Sequence, residues 1–217
     1  MKRIRFLLAI GSFITLHPGA YSAQIEGLPT EVWKLSGPIS TLAEAEALKG
    51  SFSPDATFTA TQIDFAQKLT FLGDFIDGSG TDLVGSIPDI RLTYFLLSGY
   101  IMLPAGTINF ALASDDGSQV IINNTMVVNN DGLHAWSEMT GSIPLSGGLY
   151  PIQVKLFNNF GPAALRLTYD VTGGTNFTEI PTSALRPSAI PEPATRLLWI
   201  SGGGILCLLG RRRKTAA

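Results

Sequence analysis

The stretch Thr107-Ile108-Asn109-Phe110-Ala111-Leu112-Ala113-Ser114-Asp115-Asp116-Gly117-Ser118-Gln119-Val120-Ile121-Ile122 decides how the chain is read. Two strand-like apolar runs, 107–113 and 119–122, flank Asp115-Asp116-Gly117. Asp-Gly between such runs is among the strongest tight-turn signals, because glycine adopts backbone angles that other residues resist. The pattern reads as strand, turn, strand.

The same grammar extends outward. Phe58, Ala60, Ile63 and Phe65 alternate imperfectly with Thr57, Thr59, Thr61 and Asp64, and segments 91–102, 126–128, 149–156 and 163–169 are also strand-like. Turn signals separate them at Pro104-Ala105-Gly106, Asn123-Asn124, Asn130-Asp131-Gly132, Gly147-Gly148 and Gly161-Pro162. This spacing predicts an all-β fold, one antiparallel β-sandwich over residues 24–180, with no internal repeat. Ahead of it, Val32, Trp33 and Leu35 suggest a strand. Thr41-Leu42-Ala43-Glu44 reads as a capping box for a short Ala-rich N-terminal helix closed by Gly50.

Composition agrees. Of 217 residues, 45% are hydrophobic and 15% charged, so the chain folds rather than remaining a polar tail. The net charge of −2 conceals segregation: residues 24–190 hold 7 Lys and Arg against 16 Asp and Glu, a net −9, while both ends are basic. An acidic body repels phosphate backbones, which argues against nucleic acid and in favour of cations. A single cysteine, Cys207, excludes disulfide frameworks and cysteine-ligated zinc, and two histidines, His17 and His134, supply little for a histidine-based enzyme.

The ends carry addresses. Lys2, Arg3 and Arg5, an apolar stretch at 6–16 and the small residues Ala20, Ser22 and Ala23 predict a secretory signal peptide over 1–23. A Pro-rich linker is expected at 181–193. Residues 194–217 follow, with a short apolar segment expected as a transmembrane helix and a basic end at Arg211, Arg212, Arg213 and Lys214. From Ala194 to Gly210 a helix would reach about 26 Å. The string Pro191-Glu192-Pro193, the Gly-rich apolar segment and the terminal Arg cluster resemble the PEP-CTERM sorting tail of Gram-negative bacteria. That resemblance implies recognition and cleavage by an exosortase. The body would be left at the cell surface or in an exopolysaccharide matrix.

Adjacent carboxylates in regular extended chain point to opposite faces, so Asp115 and Asp116 would not grip one cation in an ordinary strand. A cis peptide between them would turn both to one side. Calcium then needs further oxygens, six to eight in all at about 2.3–2.6 Å. Asn158 and Asn159, at the end of the 149–157 strand, are the best side-chain candidates, and Asn129, Asn130 and Asp131 form a second polar loop.

The body resembles the PA fourteen domain, a lectin-like module of anthrax protective antigen, yeast flocculins and bacterial β-glucosidases. The resemblance rests on Phe110-Ala111-Leu112-Ala113-Ser114-Asp115-Asp116-Gly117-Ser118, on Val127-Val128-Asn129-Asn130-Asp131-Gly132-Leu133-His134, on Gly148-Leu149-Tyr150-Pro151-Ile152 and on Gly161-Pro162-Ala163-Ala164-Leu165. It implies a β-sandwich in which Asp115 and Asp116, joined by a cis peptide, hold Ca2+ with Asn158. His134, Trp136 and Asn159 become candidates for contacting a sugar. The flocculin loops that choose the sugar have no clear counterpart, so the glycan stays open.

The expectation is an exported, non-catalytic, calcium-dependent carbohydrate-binding protein, with a glycan or exopolysaccharide as partner. The alternative is a structural or adhesive matrix protein with no sugar site. A glycoside hydrolase would need two carboxylates set about 5–9.5 Å apart across a cleft, which neighbouring residues spent on one ion do not supply.

Overall fold

A computed structural model describes residues 26–68 and 71–189. Segment 1–23, expected as a signal peptide, the sorting signal Pro191, Glu192 and Pro193 and the apolar segment expected to span a membrane lie outside the described residues. Among those described, no helix is long and apolar enough to cross a membrane.

In chain order the elements are β1 (Leu28–Lys34), α1 (Leu42–Lys49), β2 (Ala56–Ala60), β3 (Asp64–Lys68), α2 (Leu72–Phe75) and β4 (Gly80–Gly85). They continue as β5 (Thr93–Asp115), β6 (Ser118–Ile122), β7 (Thr125–Asn130), β8 (Ser137–Asn158), β9 (Ala163–Asp170), β10 (Thr178–Glu179) and β11 (Leu185–Arg186). Every strand pairing is antiparallel. The all-β expectation holds.

β5 and β8 are far longer than the sequence suggests. Pro104-Ala105-Gly106 and Gly147-Gly148 do not end strands. They face each other across one continuous ladder, with Leu103 opposite Gly148 and Ala105 opposite Ser146. Gly147 and Gly148, at φ 85° and 129°, occupy backbone space that suits glycine, so the paired strands change direction together. The first half of β5 and the second half of β8 lie in one leaf, ordered β4-β2-β1-β5-β8-β6-β7. The second half of β5 pairs β9, which carries β3 and β10, and forms the other leaf with the first half of β8. Phe95, Leu97 and Ile101 of the first leaf share one buried cluster with Ile108, Phe110, Leu112, Leu165 and Leu167 of the second, which is the core of a sandwich.

The predicted helix forms as α1. Thr41 Oγ1 accepts from Glu44 N at 3.2 Å, and the Glu44 carboxylate accepts from Ser40 N, one residue outside the usual box. Its inner face covers a second cluster of Trp33, Tyr94 and Phe157 on the outside of the first leaf. Glu46 fastens it there, accepting from Tyr94 Oη at 2.9 Å and Lys155 Nζ at 2.6 Å. At the other end the fold extends further than the proline count suggests. Within the expected linker, Thr182–Ala184 form a 3-10 turn and β11 pairs Leu185 with Ile101 and Arg186 with Tyr100.

Candidate functional site

The doubled-back strands bring two distant points of the sequence together. Asp115 ends β5 at the rim of the second leaf, and Asn158 ends β8 opposite Thr93 at the rim of the first. Phe157 N–H donates to Gly117 O at 2.9 Å, and Ser118 faces Leu156, so the turn and the end of β8 run side by side. Gly117 is the only size that fits there: a Cβ would sit 2.7 Å from Gly132 N and 2.9 Å from Gly132 O, and would also meet the Phe157 ring. Beneath the turn, the buried Ser114 and Ser118 hydroxyls lie 2.6 Å apart. Asn130 Nδ2 donates to Ser114 Oγ at 3.1 Å and to Ser137 O at 3.0 Å.

The Asp115–Asp116 peptide is cis. Both residues are buried, at 7% and 6% exposure. Asp116 Oδ1 accepts from His134 N at 3.3 Å and Oδ2 from Asn159 N at 2.9 Å, so two loops converge on one carboxylate. Asp115 Oδ2 accepts from Gln67 Nε2 at 3.2 Å. No Lys or Arg among the described residues forms an ion pair with either carboxylate. Burial first, and then the negative charge of Asp116, push the Asp115 carboxyl above its ordinary range, against the lowering effect of the Gln67 hydrogen bond.

Asn158 is fully buried, and its Nδ2 donates to Ile90 O at 2.9 Å and Gly161 O at 3.4 Å. Its Oδ1 is also buried and has no hydrogen-bond partner. An orphaned amide oxygen on the residue before Asn159, whose N–H bonds Asp116, and two buried carboxylates that no Lys or Arg among the described residues pairs, form a donor set that suits a hard divalent cation. Among the described residues no three His, Cys, Asp or Glu side chains cluster to hold a metal, so amide and carbonyl oxygens or water would have to complete the shell.

The other expected residues have different engagements, and no contact given for Trp136 or Asn129 reaches Asp115, Asp116 or Asn158. Asn159 Oδ1 accepts from Ile39 N at 3.2 Å, which ties the loop before α1 to the site. Asp131 Oδ1 accepts from Leu42 N at 2.9 Å and so holds the start of α1. Both His134 ring nitrogens lie 2.9 Å from carbonyl oxygens, Nδ1 from Ala135 O and Nε2 from Asn130 O, and a neutral imidazole donates to only one of them. Trp136 is 44% exposed and carries the Arg166 guanidinium at 5.4 Å from its ring centre. Asn129 Oδ1 accepts from Gln119 Nε2 at 2.9 Å. Gln67 escaped the sequence reading: it lies 48 residues before Asp115 on a strand that reaches the site only through β9, and nothing local marks it. A cavity of about 660 Å3, lined in part by Glu31, Ser98, Tyr100, Gln153 and Pro187, includes none of the expected site residues.

The described body is similar to the PA14 domain of the MpAFP antifreeze protein, at 24% identity with a TM-score of 0.71, over 76% of this chain and 93% of that one. The body has the PA14 fold. The PA14 sugar-binding domain from RTX adhesin matches at 23% identity and a TM-score of 0.68, over 75% of this chain and 99% of that one. The A domain of epithelial adhesin 6 from Candida glabrata, solved in complex with Galβ1-3GlcNAc, matches at 15% identity and a TM-score of 0.53, over 80% and 92%. Behind the PA14 body, residues 189–214 match the PEP-CTERM protein-sorting motif. No curated protein matches the chain.

Proposed function

We propose that the PA14 body is a calcium-dependent, lectin-like carbohydrate-binding module that does no chemistry. Asp115, Asp116 and the Asn158 amide oxygen hold the ion. Bound calcium supplies open coordination positions that adjacent sugar hydroxyls can fill. The observation that carries this reading is the buried, partnerless Asn158 Oδ1, one residue before the Asn159 N–H that bonds Asp116, together with two buried carboxylates that no Lys or Arg among the described residues pairs. The fold shared with a sugar-binding domain and an adhesin solved with a disaccharide supports it. The PEP-CTERM motif supports export, exosortase processing and a place at the surface or in the extracellular matrix of a Gram-negative bacterium. A glycan array probed with and without a calcium chelator tests the reading. Chelator-sensitive retention on a defined set of glycans is expected, and retention on none in millimolar calcium would count against it.

One observation favours a second reading, an adhesive matrix protein without a sugar site. Backbone N–H groups of both flanking loops bond to Asp116, so an ion there would also stiffen the surface that carries the exposed Leu133 and Phe160. In that case calcium raises the melting temperature while the array stays blank.

A further inference from the structure

The outer side of the first leaf is only half covered. Trp33, Tyr94 and Phe157 lie on it under α1. Side chains alternate along a strand, so Glu31, Ser98, Tyr100 and Gln153 share that outer side, while Val32, Leu97, Ile152 and Val154 turn into the core. Thr57 stands opposite Glu31, and Ser98 stands opposite Gln153. Strands β2, β1, β5 and β8 therefore lay these polar groups side by side. Ser98 is about 13 Å along the strand from Tyr94, at roughly 3.3 Å per residue, and so lies away from the part that the helix covers.

The cavity of about 660 Å3 opens on this uncovered half, and its size suits a small-molecule site. Glu31, Thr57, Thr59, Ser98, Tyr100 and Gln153 line it, together with three prolines. Two features set it apart from an ordinary solvated sheet face. Glu31 is the only charged residue of the lining. None of the six polar side chains has a hydrogen bond or an ion pair among the described residues. The neighbouring cations are engaged elsewhere: Lys155 Nζ donates to Glu46 at 2.6 Å, and Lys34 Nζ donates to the carbonyls of Asp89 and Arg91.

The chemistry of this lining selects its ligand. One carboxylate and no Lys or Arg repel phosphate, sulfate and uronate groups, which argues against nucleotides and acidic polysaccharides. An apolar ligand would leave six polar groups without partners. Hydroxyls, an amide and a carboxylate beside an aromatic ring and prolines match a sugar, which offers hydroxyls at its edge and C–H groups on its face. We propose that this cleft is a second saccharide site, which takes an uncharged stretch of sugar chain and needs no cation. Glu31 accepts charge-assisted bonds from sugar hydroxyls, Gln153, Ser98, Thr57 and Thr59 donate and accept, and the Tyr100 ring packs on a sugar face. The cleft shares no residue with the Asp115-Asp116 turn, so its binding does not depend on the calcium reading.

The test is made with the full chain in excess chelator, on an array of neutral cello-, laminari-, xylo-, malto- and N-acetylchito-oligosaccharides beside cationic chitosan and anionic polyuronate oligomers. Saturable retention on at least one neutral series is expected. Glu31→Gln, which keeps the side-chain shape, and Tyr100→Ala are each expected to weaken it at least fivefold, and Asp115→Asn is expected to leave it within twofold. Thermal melts identify a variant that fails to fold, and Glu31→Gln alone decides should Tyr100→Ala do so. No retention of any neutral series in chelator, retention of the charged oligomers alone, or a loss below fivefold in Glu31→Gln would overturn the proposal. So would a neutral retention that Asp115→Asn abolishes, because it would place the sugar at the turn.

Discussion

The backbone N–H of Asn159 donates to Asp116 Oδ2 at 2.9 Å, and that bond fastens the end of β8 to the turn that closes β5. Asp116 therefore organises two loops, while Asp115, held by Gln67 alone, has one oxygen without a donor among the described residues. The two neighbouring carboxylates have different jobs.

Replacing each carboxylate by its amide separates those jobs. In calcium-free buffer Asp116→Asn leaves one backbone N–H facing an amide NH2, and is expected to destabilise the body by about 1–3 kcal/mol. For a domain of this size that lowers the melting temperature by about 2–4 °C per kcal/mol. Asp115→Asn keeps an acceptor for Gln67 and removes a buried like charge, so it leaves the calcium-free melting temperature equal or higher. Both variants are expected to lose at least tenfold in calcium affinity, about 1.4 kcal/mol or more. Thermal melts with and without calcium check all four values.

The pH profile of the calcium-free body carries the same signature. Asp115 is raised by burial and by the Asp116 charge, so the native state holds its proton more tightly than the unfolded chain does. Its contribution to stability is consequently lost as pH rises from the ordinary carboxylate value through the raised one. Asp89, held at about 2 chiefly by its hydrogen bond from Arg91, has the opposite sign, and its contribution is lost as pH falls toward that value. Asp170, lowered by its bonds from Thr172, follows Asp89 in sign. The melting temperature of Asp115→Asn relative to the native chain should therefore rise as pH increases across the Asp115 window. A gap that stays flat or shrinks would show that Asp115 is not held as described.

The clamp on α1 is independent of the ion. Burial raises Glu46, but hydrogen bonds from Lys155 and Tyr94, together with the Lys155 and Lys49 charges, outweigh it and hold the carboxyl below its usual range. Glu46→Gln loses the charge-assisted bond, and because Glu46 is partly exposed the expected loss is only about 1 kcal/mol. Chemical denaturation should register that change with and without calcium alike.

Gly117→Ala is the severe substitution. Its methyl group would press into Gly132 backbone atoms and the Phe157 ring, and backbone atoms cannot give way as a flexible side chain can. A loss of about 2–4 kcal/mol is expected, together with weakened calcium binding, since the turn that holds Asp116 must shift. Denaturant melts of this variant beside a surface control such as Phe52→Ala measure it.

Much of this was readable from local chemistry. Asp115-Asp116-Gly117 between apolar runs and Thr41 ahead of Glu44 are short-range signals, and they place the turn and α1 correctly. What was not readable depends on pairing. Pro104-Ala105-Gly106 looks like the end of a strand. Only its partner Gly147-Gly148, more than 40 residues later, turns two breakers into one shared bend. Leu185 and Arg186 sit among prolines and have no strand signal of their own; the free edge of β5 recruits them. Gln67 is similar, because its role exists only once β3 lies along β9. Asn158 was legible as a candidate from its place after an apolar strand, whereas its orphaned oxygen follows from Ile90 and Gly161 claiming the amide nitrogen.

Calorimetric titration of calcium into the full chain and into Asp115→Asn tests the central claim most directly. The account predicts one saturable site per native chain, with a dissociation constant within the roughly micromolar to millimolar range of sensor and extracellular calcium sites, and at least tenfold weaker binding in the variant. No saturable heat in the native chain, or a native site that Asp115→Asn leaves untouched, would contradict it.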